Sequence, residues 1–351
     1  MVLTDIALQN FRSHTKNTFS FSDGVTLIFG PNTAGKTNIL EAIVLLSTGK
    51  SFRAKRESEM LAWHKEIARV KGVIREAADT QKLEVILTHG IVAGVKAQIK
   101  KYLVNGVARR QLDFIGNIRS VLFWPEDLEL VVDSPSIRRA YLDGVLTQVD
   151  REYRRNLQSY ERGIRQRNRL LYAIGEGKAG RNQLVFWNQL LIKTGAYITQ
   201  ARQQFLTAIN SMPIEGLRYR VTYEKSVISE TRLEQYKTEE VAAHMTLVGP
   251  HRDDFIVYEI HGDEDMDLSR FGSRGEQRLG VLWLKFAELS YIEQRTGSRP
   301  LLLLDDVFSE LDPKHRSMVL GIMTKQQTIM TSADPETLRE LKPVSHEIIR
   351  L

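Results

Sequence analysis

Eight consecutive residues, Gly30-Pro31-Asn32-Thr33-Ala34-Gly35-Lys36-Thr37, place two glycines, a lysine and a hydroxyl in the spacing G-x-x-x-x-G-K-[ST]. Such a loop can hold a chain of phosphates. Its backbone N–H groups and the positive end of the following helix converge on phosphate oxygens. Glycine allows the close approach that this requires. Lys36 is then expected to reach the terminal phosphates, and the Thr37 hydroxyl to ligate Mg²⁺. Asn38, next in the chain, is counted with the loop. A second set is Leu301-Leu302-Leu303-Leu304-Asp305-Asp306. An unalternating apolar run suits a parallel strand buried on both faces. Acids at its C-terminal end fall at the sheet edge where ligands bind. Asp305 is expected to associate with Mg²⁺ and Asp306 to polarise an attacking water, so Lys36, Asp305 and Asp306 form the expected catalytic set. A third set, Ser273-Arg274-Gly275-Glu276-Gln277-Arg278, precedes Leu279, Leu282, Trp283, Phe286 and Leu289 at helical spacing. A serine and a glycine at a helix start can form another anion site. Taken alone, Ser273 reads equally well as a helix cap.

The elements that must position these residues are legible in outline. Leu3 to Leu8 and Thr18 to Phe21 alternate as strands do, and Val25 to Phe29 is a short apolar run ending at Gly30. From Lys36 to Leu46 the pattern is helical, with Ile39, Leu40, Ile43, Val44 and Leu46 on or near one face. Residues 67–107 return to strand-like pieces. Residues 126–244 read mostly as helix, with a hairpin turn between Gly175 and Gly180. Strand character resumes after Gly249. The expected fold is α/β: a discontinuous head of residues 1–125 and 245–351, interrupted by a helical insertion of residues 126–244.

Composition narrows the chemistry. With no cysteine, disulfides, thiolate catalysis and cysteine zinc sites are excluded. The eight histidines show no metal-site spacing, so no structural metal is expected. The start lacks a signal-peptide pattern, and no apolar run approaches the ~20 residues that span a bilayer. A soluble, cytoplasmic protein is expected. The net charge of +6 favours polyanionic partners.

Order adds specificity. A phosphate loop, then Ser-x-Gly-x-Gln, then an apolar strand with Asp-Asp, then Ser309-Glu310-Leu311-Asp312, is the order of an ABC-type ATPase. In that class the serine motif of one subunit covers the γ-phosphate held by the loop of another. Ser273, Gly275 and Gln277 would thus join the ATP contacts across a head-to-tail dimer, with Asp312 at its seam. The long separation of Lys36 from Ser273 points to the chromosome-maintenance branch of the class. Within that branch the chain resembles the RecF family. The match is carried by Gln9-Asn10-Phe11-Arg12-Ser13, Gly35-Lys36-Thr37-Asn38-Ile39-Leu40-Glu41-Ala42 and Gly49-Lys50-Ser51-Phe52-Arg53. It continues through Phe123-Trp124-Pro125-Glu126-Asp127-Leu128 and Ser134-Pro135-Ser136-Ile137-Arg138-Arg139-Ala140-Tyr141-Leu142-Asp143. It ends in Gly249-Pro250-His251-Arg252-Asp253-Asp254 and the Asp305 to Asp312 segment.

The resemblance implies an ATP-driven homodimer that binds double-stranded DNA, including gapped or junction DNA, and hydrolyses ATP slowly as a switch. It implies RecR and RecO as partners in loading RecA on DNA coated by single-strand-binding protein, within the DNA-damage (SOS) response. Arg12 matches the arginine that approaches the nucleotide in related ATPases; an ordinary surface arginine is the other reading. Thr33-Ala34 stands where a glycine and a polar residue are expected, which puts a Cβ at a position suited to positive φ. Thr331-Ser332-Ala333 stands where transporters carry a histidine, in keeping with slow turnover. The alternative reading is the head of an SMC or Rad50-like structural clamp. That requires a long coiled coil, and residues 126–244 show no sustained heptads.

The DNA-facing candidates come from charge pattern. Arg151, Arg155, Arg162, Arg165 and Arg169 fall on one stripe at ~100° per residue. Tyr153, Leu157, Tyr160, Ile164 and Leu171 fall opposite. Such a helix can track phosphates, with little sequence preference. A solvated outer face, eased by Glu152 and Glu161, is the competing reading. Lys50, Arg53, Lys55 and Arg56 form a second basic cluster.

Overall fold

Alternation near the start folds as a hairpin. β1 (Val2–Phe11) and β2 (His14–Ser20) pair antiparallel, with Leu3, Ile6, Leu8 and Phe11 turned into the core. The computed structural model describes residues 1–351 except residues 77, 78, 263, 343 and 345, and except the side chains of Ser309 and Glu310. The Ser309-Glu310 part of the expected dimer-seam motif therefore lies outside the described residues.

The chain forms two compact units, residues 1–127 with 292–351, and residues 128–291. In the first unit β3 (Val25–Phe29) leads through the phosphate loop into α1 (Lys36–Thr48). β1 also pairs with β4 (Ile67–Glu76), which pairs with β5 (Asp79–Thr88), in a six-stranded sheet. A second sheet has five strands, all parallel, in the order Ser120–Phe123, Leu301–Asp305, Thr328–Ser332, β3, His346–Arg350. Leu301–Asp305 is buried along its whole length, as an unalternating run requires. α1 packs against both sheets. Ile39, Leu40, Ala42, Ile43, Leu45 and Leu46 are each 0% exposed. Burial thus extends around nearly the whole helix, beyond the single apolar face that the sequence suggested, because a sheet lies on either side.

In the second unit the helices Arg151–Gly175 and Val185–Asn210 pack on each other across the expected turn at residues 175–180. A three-stranded antiparallel sheet accompanies them, in the order Tyr219–Glu224, Asp254–His261, Glu264–Asp267. The strand after Gly249, which the sequence placed in the head, has its partners here: Val257 lies opposite Val221. The second unit therefore runs to Tyr291, and the head resumes at Ile292 rather than at 245. Alternation reveals a strand but not its neighbour. Among the described residues no helix is long and apolar enough to cross a membrane.

The segments 134–143 and 249–254 meet in a buried polar core of this unit. Arg202 donates to Asp143 at 2.8 Å and to Asp253 at 2.9 Å, Tyr153 donates to Asp143, and Arg138 donates twice to Asp254. Buried charges need such matched partners. His251 donates through Nε2 to the Thr246 carbonyl at 3.0 Å and accepts through Nδ1 from the Tyr160 hydroxyl at 2.8 Å. Its role is structural, in the turn.

Burial pushes the His251 pKa down from 6.5 to about 4, with nearby arginines acting in the same direction. The folded value lies below the unfolded one, so the unfolded chain binds more protons between these limits. Stability present above about pH 6.5 is lost as pH falls toward 4, at about 1.4 kcal/mol per pKa unit. Thermal unfolding from pH 7.5 down to pH 5 should show a steeper fall in Tm for the native chain than for His251→Asn. Parallel slopes would remove His251 as the source.

Candidate nucleotide site

The phosphate loop and Asp305 emerge from the same C-terminal edge of the parallel sheet, with the strand Thr328–Ser332 between them. Gly30 is fixed there by its N–H, which donates to the Ser332 carbonyl at 3.3 Å. Gly35 has φ 95, and a Cβ on it would lie 2.8 Å from both His14 Nε2 and Ser13 Oγ, so only glycine fits. Lys36 is 8% exposed, and its Nζ is held by the carbonyls of Gly30 at 2.8 Å and Pro31 at 2.9 Å. The ammonium is thereby kept inside the loop where phosphate charge would arrive. Pro31, Asn32 and Thr33 are exposed, and Ala34 is half-buried. Thr33 does take a left-handed conformation, φ 74.

Thr37 Oγ1 donates to Asp305 Oδ1 at 3.0 Å. The hydroxyl of Thr331 donates to the same oxygen at 2.6 Å. Mg²⁺ takes near-octahedral oxygen ligation from one or two carboxylates, substrate phosphates and waters. A hydroxyl and a carboxylate brought within hydrogen-bonding distance beside a phosphate loop fit that demand. Thr331, read from the sequence only as the absence of a histidine, is thus a support for Asp305. Asp306 follows in the left-handed region, φ 53, half-buried at the sheet edge, with its N–H on the Thr331 carbonyl at 3.3 Å.

Around the loop the structure reassigns several residues. Asn38 donates to Ser13 Oγ at 2.7 Å and accepts from Arg53, so its amide braces the loop. Arg12 is turned onto Glu41, with Nε at 2.8 Å and Nη2 at 2.6 Å, and onto the Glu59 carbonyl. Glu41 was not singled out for its chemistry in the sequence. The signal was available: it is an acid inside Ile39 to Leu46, otherwise apolar up to Leu46, and an acid in a helix buried all round must be paired. Asp312 caps the helix Pro313–Met323, accepting from the His315 N–H at 3.0 Å and bonding its ring at 2.6 Å. These bonds hold its carboxyl below the usual range.

In the second unit Ser273 is exposed and makes a reciprocal cap with Glu276. Its N–H and hydroxyl each donate to Glu276 at 2.7 Å, and the Glu276 N–H returns to Ser273 Oγ at 3.3 Å. Gly275 is exposed beside it. Gln277, expected among the ATP contacts, is instead buried, at 8% exposure, and its amide donates to the Leu268 carbonyl at 2.9 Å. It fastens the loop that carries Ser273 from beneath. Spacing could not separate the two roles, because residues four apart share a helix face, and only the fold shows the Gln277 amide turned onto the Leu268 carbonyl.

Arg151, Arg155, Arg162, Arg165 and Arg169 are all exposed along one helix, while Tyr153, Tyr160 and Leu171 are buried opposite. Arg167 of the same helix is 2% exposed and bonded to Glu240, Thr246 and Asn188, so it is structural. Lys50, Arg53, Lys55 and Arg56 are all exposed, and Arg53 also bonds Glu41.

A parallel sheet bearing the phosphate loop and Asp305 on one edge, beside an antiparallel sheet, with a capped Ser-x-Gly-x-Gln helix in a second unit, defines an ABC-type P-loop ATPase head. Residues 2–348 match the family model described as RecF/RecN/SMC N terminal domain. The DNA replication and repair protein RecF of Herpetosiphon aurantiacus is 36% identical over 95% of this chain and 94% of its own. That of Moorella thermoacetica is 36% identical over 95% and 90%. The chain belongs to the RecF family. A solved structure described as the recombination mediator protein RecF-ATP in the RecFOR pathway superposes with TM-score 0.84 at 32% identity, covering 95% of this chain and 92% of that one. An SMC head, at 16% identity and TM-score 0.51, shares the fold alone.

A β-branched residue in the left-handed region carries strain of about 1–3 kcal/mol. Thr33→Gly releases it, against an unfolded-state entropy cost of about 0.4–1 kcal/mol. Denaturant unfolding should show a net gain of about 1 kcal/mol for Thr33→Gly. A loss of stability would mean that the threonine is held without strain.

Proposed function

We propose that this chain is an ATP-gated DNA-binding factor of recombinational repair. ATP with Mg²⁺ binds at Gly30–Asn38, and two copies close head to tail over two nucleotides. The closed dimer holds duplex or gapped DNA through Arg151, Arg155, Arg162, Arg165 and Arg169, with Lys50, Lys55 and Arg56 as further phosphate contacts. RecR and RecO are the partners this reading implies, in loading RecA on DNA coated by single-strand-binding protein.

Gly275 carries the argument for the dimer. Glycine in a helix interior costs about 1 kcal/mol relative to alanine, and Gly275 stands in the first turn, where alanine is also accepted. A Cβ at Gly275 would meet only Ser273 Oγ, at 4.0 Å. Among the described residues nothing near it asks for glycine, which supports a close approach from outside. A triphosphate in the loop of a second copy supplies one. The exposed N–H groups at this helix start then face its terminal phosphate.

Each residue then has a task. Lys36 offsets the charge on the terminal phosphate. Thr37 and Asp305 would hold a metal ion, which would supply positive charge beside the phosphate oxygens. Asp306 polarises the attacking water. Hydrolysis to ADP and phosphate removes the group on which both copies meet, and the dimer opens. A clamp with a long arm fits less well, because the helices of 25 and 26 residues fold back on each other as a hairpin.

Duplex-DNA affinity and sedimentation, each with ATP and with ADP, test the reading. The native chain should dimerise and gain at least tenfold in DNA affinity with ATP. Lys36→Met should lose both responses. Gly275→Ala should bind ATP at native affinity, unfold no earlier than the native chain, and stay monomeric. An alanine variant that dimerises normally would overturn the head-to-tail arrangement.

A further inference from the structure

Glu41 lies one turn beyond Thr37 on α1 and is 0% exposed. Three side chains close on its carboxylate. Arg12 donates at 2.6 and 2.8 Å, Arg53 at 2.8 and 3.0 Å, and Ser51 at 2.6 Å. Burial raises its pKa, but the bonds from Arg12, Ser51 and Arg53 outweigh burial and the net direction is down. It is therefore a carboxylate at neutral pH, shared by two guanidiniums.

Stability alone is a poor account of such a cluster, since buried ion pairs can often be replaced by apolar residues at no loss. Its geometry is more telling. The three residues come from two segments, Arg12 from the turn after β1 and Ser51 with Arg53 from the stretch after α1, and each segment has a further attachment. From β1, the turn after Arg12 touches the phosphate loop: Ser13 Oγ accepts from Asn38 at 2.7 Å, and His14 Nε2 meets the Gly35 carbonyl at 3.1 Å. Arg53 also donates to Asn38, the residue after Thr37. Ser51 Oγ accepts from the N–H groups of Arg53 at 3.1 Å and Ala54 at 2.8 Å, shaping the start of the basic segment. Arg12 reaches the far end of that segment through the Glu59 carbonyl at 2.7 Å, and its own N–H donates to the Met60 carbonyl at 2.9 Å. Lys50, Lys55 and Arg56 are thus borne on a stretch of chain fastened to the Glu41 carboxylate at one end directly and at the other through Arg12. That carboxylate sits on the helix whose first turn holds phosphate.

We propose that Glu41 is a positioning residue that transmits the state of the phosphate loop to the basic segment Lys50–Arg56. α1 moves as a rigid rod, so a displacement of its first turn by a terminal phosphate is passed to Arg12 and Arg53 together. The segment's grip on DNA phosphates then follows the bound nucleotide. This coupling rests on the ATP-gated reading of the site, and it adds the route by which the gate acts.

Limited trypsin digestion of the full chain reads the segment directly, because Lys50, Arg53, Lys55 and Arg56 are its cleavage sites. Cleavage there is measured with Mg-ATP and with Mg-ADP, alongside nucleotide affinity and duplex-DNA affinity. In the native chain the rates with the two nucleotides should differ by at least about fivefold, the lower end of ordinary coupling. Glu41→Gln keeps the shape but weakens the hold on both arginines. It should bring the ATP/ADP ratio of cleavage close to one while ATP affinity stays within about threefold, and should shrink the ATP-driven gain in DNA affinity by a similar factor. Parallel losses of Tm, ATP affinity and DNA affinity with an unchanged ATP/ADP ratio would show a merely structural role and overturn the proposal. Should Glu41→Gln fail to fold, Ser51→Ala and Arg53→Lys carry the same test, and native ratios in both overturn it. The two readings separate: a nucleotide-dependent segment without nucleotide-dependent DNA binding supports the coupling and sinks the DNA gate. A segment indifferent to nucleotide sinks the coupling whatever the DNA does.

Discussion

The site depends on one oxygen atom. Asp305 Oδ1 accepts from Thr37 of the phosphate-loop helix and from Thr331 of the strand between. Neighbouring strands lie about 4.8 Å apart, so two strand spacings separate β3 from Leu301–Asp305. The chain must cross that gap for a loop built on one strand to meet an acid built on the other. The first turn of α1 does this. The register of the middle strand places Thr331 opposite both Ile28 and Asp305, so its hydroxyl holds the carboxylate in line. Remove that alignment and Lys36, Thr37, Asp305 and Asp306 become four residues on a sheet edge.

A second arrangement belongs to the unit of residues 128–291. The Ser273 motif is presented on a capped helix start, with Gln277 fastening its loop from below and Gly275 left bare. On the proposed reading a second copy would complete this site.

The phosphate loop, the buried acidic strand and the basic helix were legible because each is set by local spacing and by burial periodicity. What spacing could not show was pairing over distance. The strand after Gly249 was recognisable, but its partner Tyr219–Glu224 was not, and so the head's second part begins at Ile292. Thr331 looked like a missing histidine, and only the sheet register shows it beside Asp305. Arg12 was read as facing either nucleotide or solvent, and Glu41 claims it first. Thr33 shows the reverse: the resemblance places a glycine there, so a side chain at positive φ was readable before the fold, and its cost follows from chirality.

Magnesium dependence of nucleotide binding addresses the central claim most directly. ATP affinity of the native chain, Asp305→Asn and Thr331→Val would be measured with Mg²⁺ and with chelator. If Asp305 and Thr37 together hold the metal ion, the native chain binds ATP more tightly with Mg²⁺. Asp305→Asn loses most of that difference, and Thr331→Val loses part of it. An undiminished Mg²⁺ effect in Asp305→Asn would contradict the account.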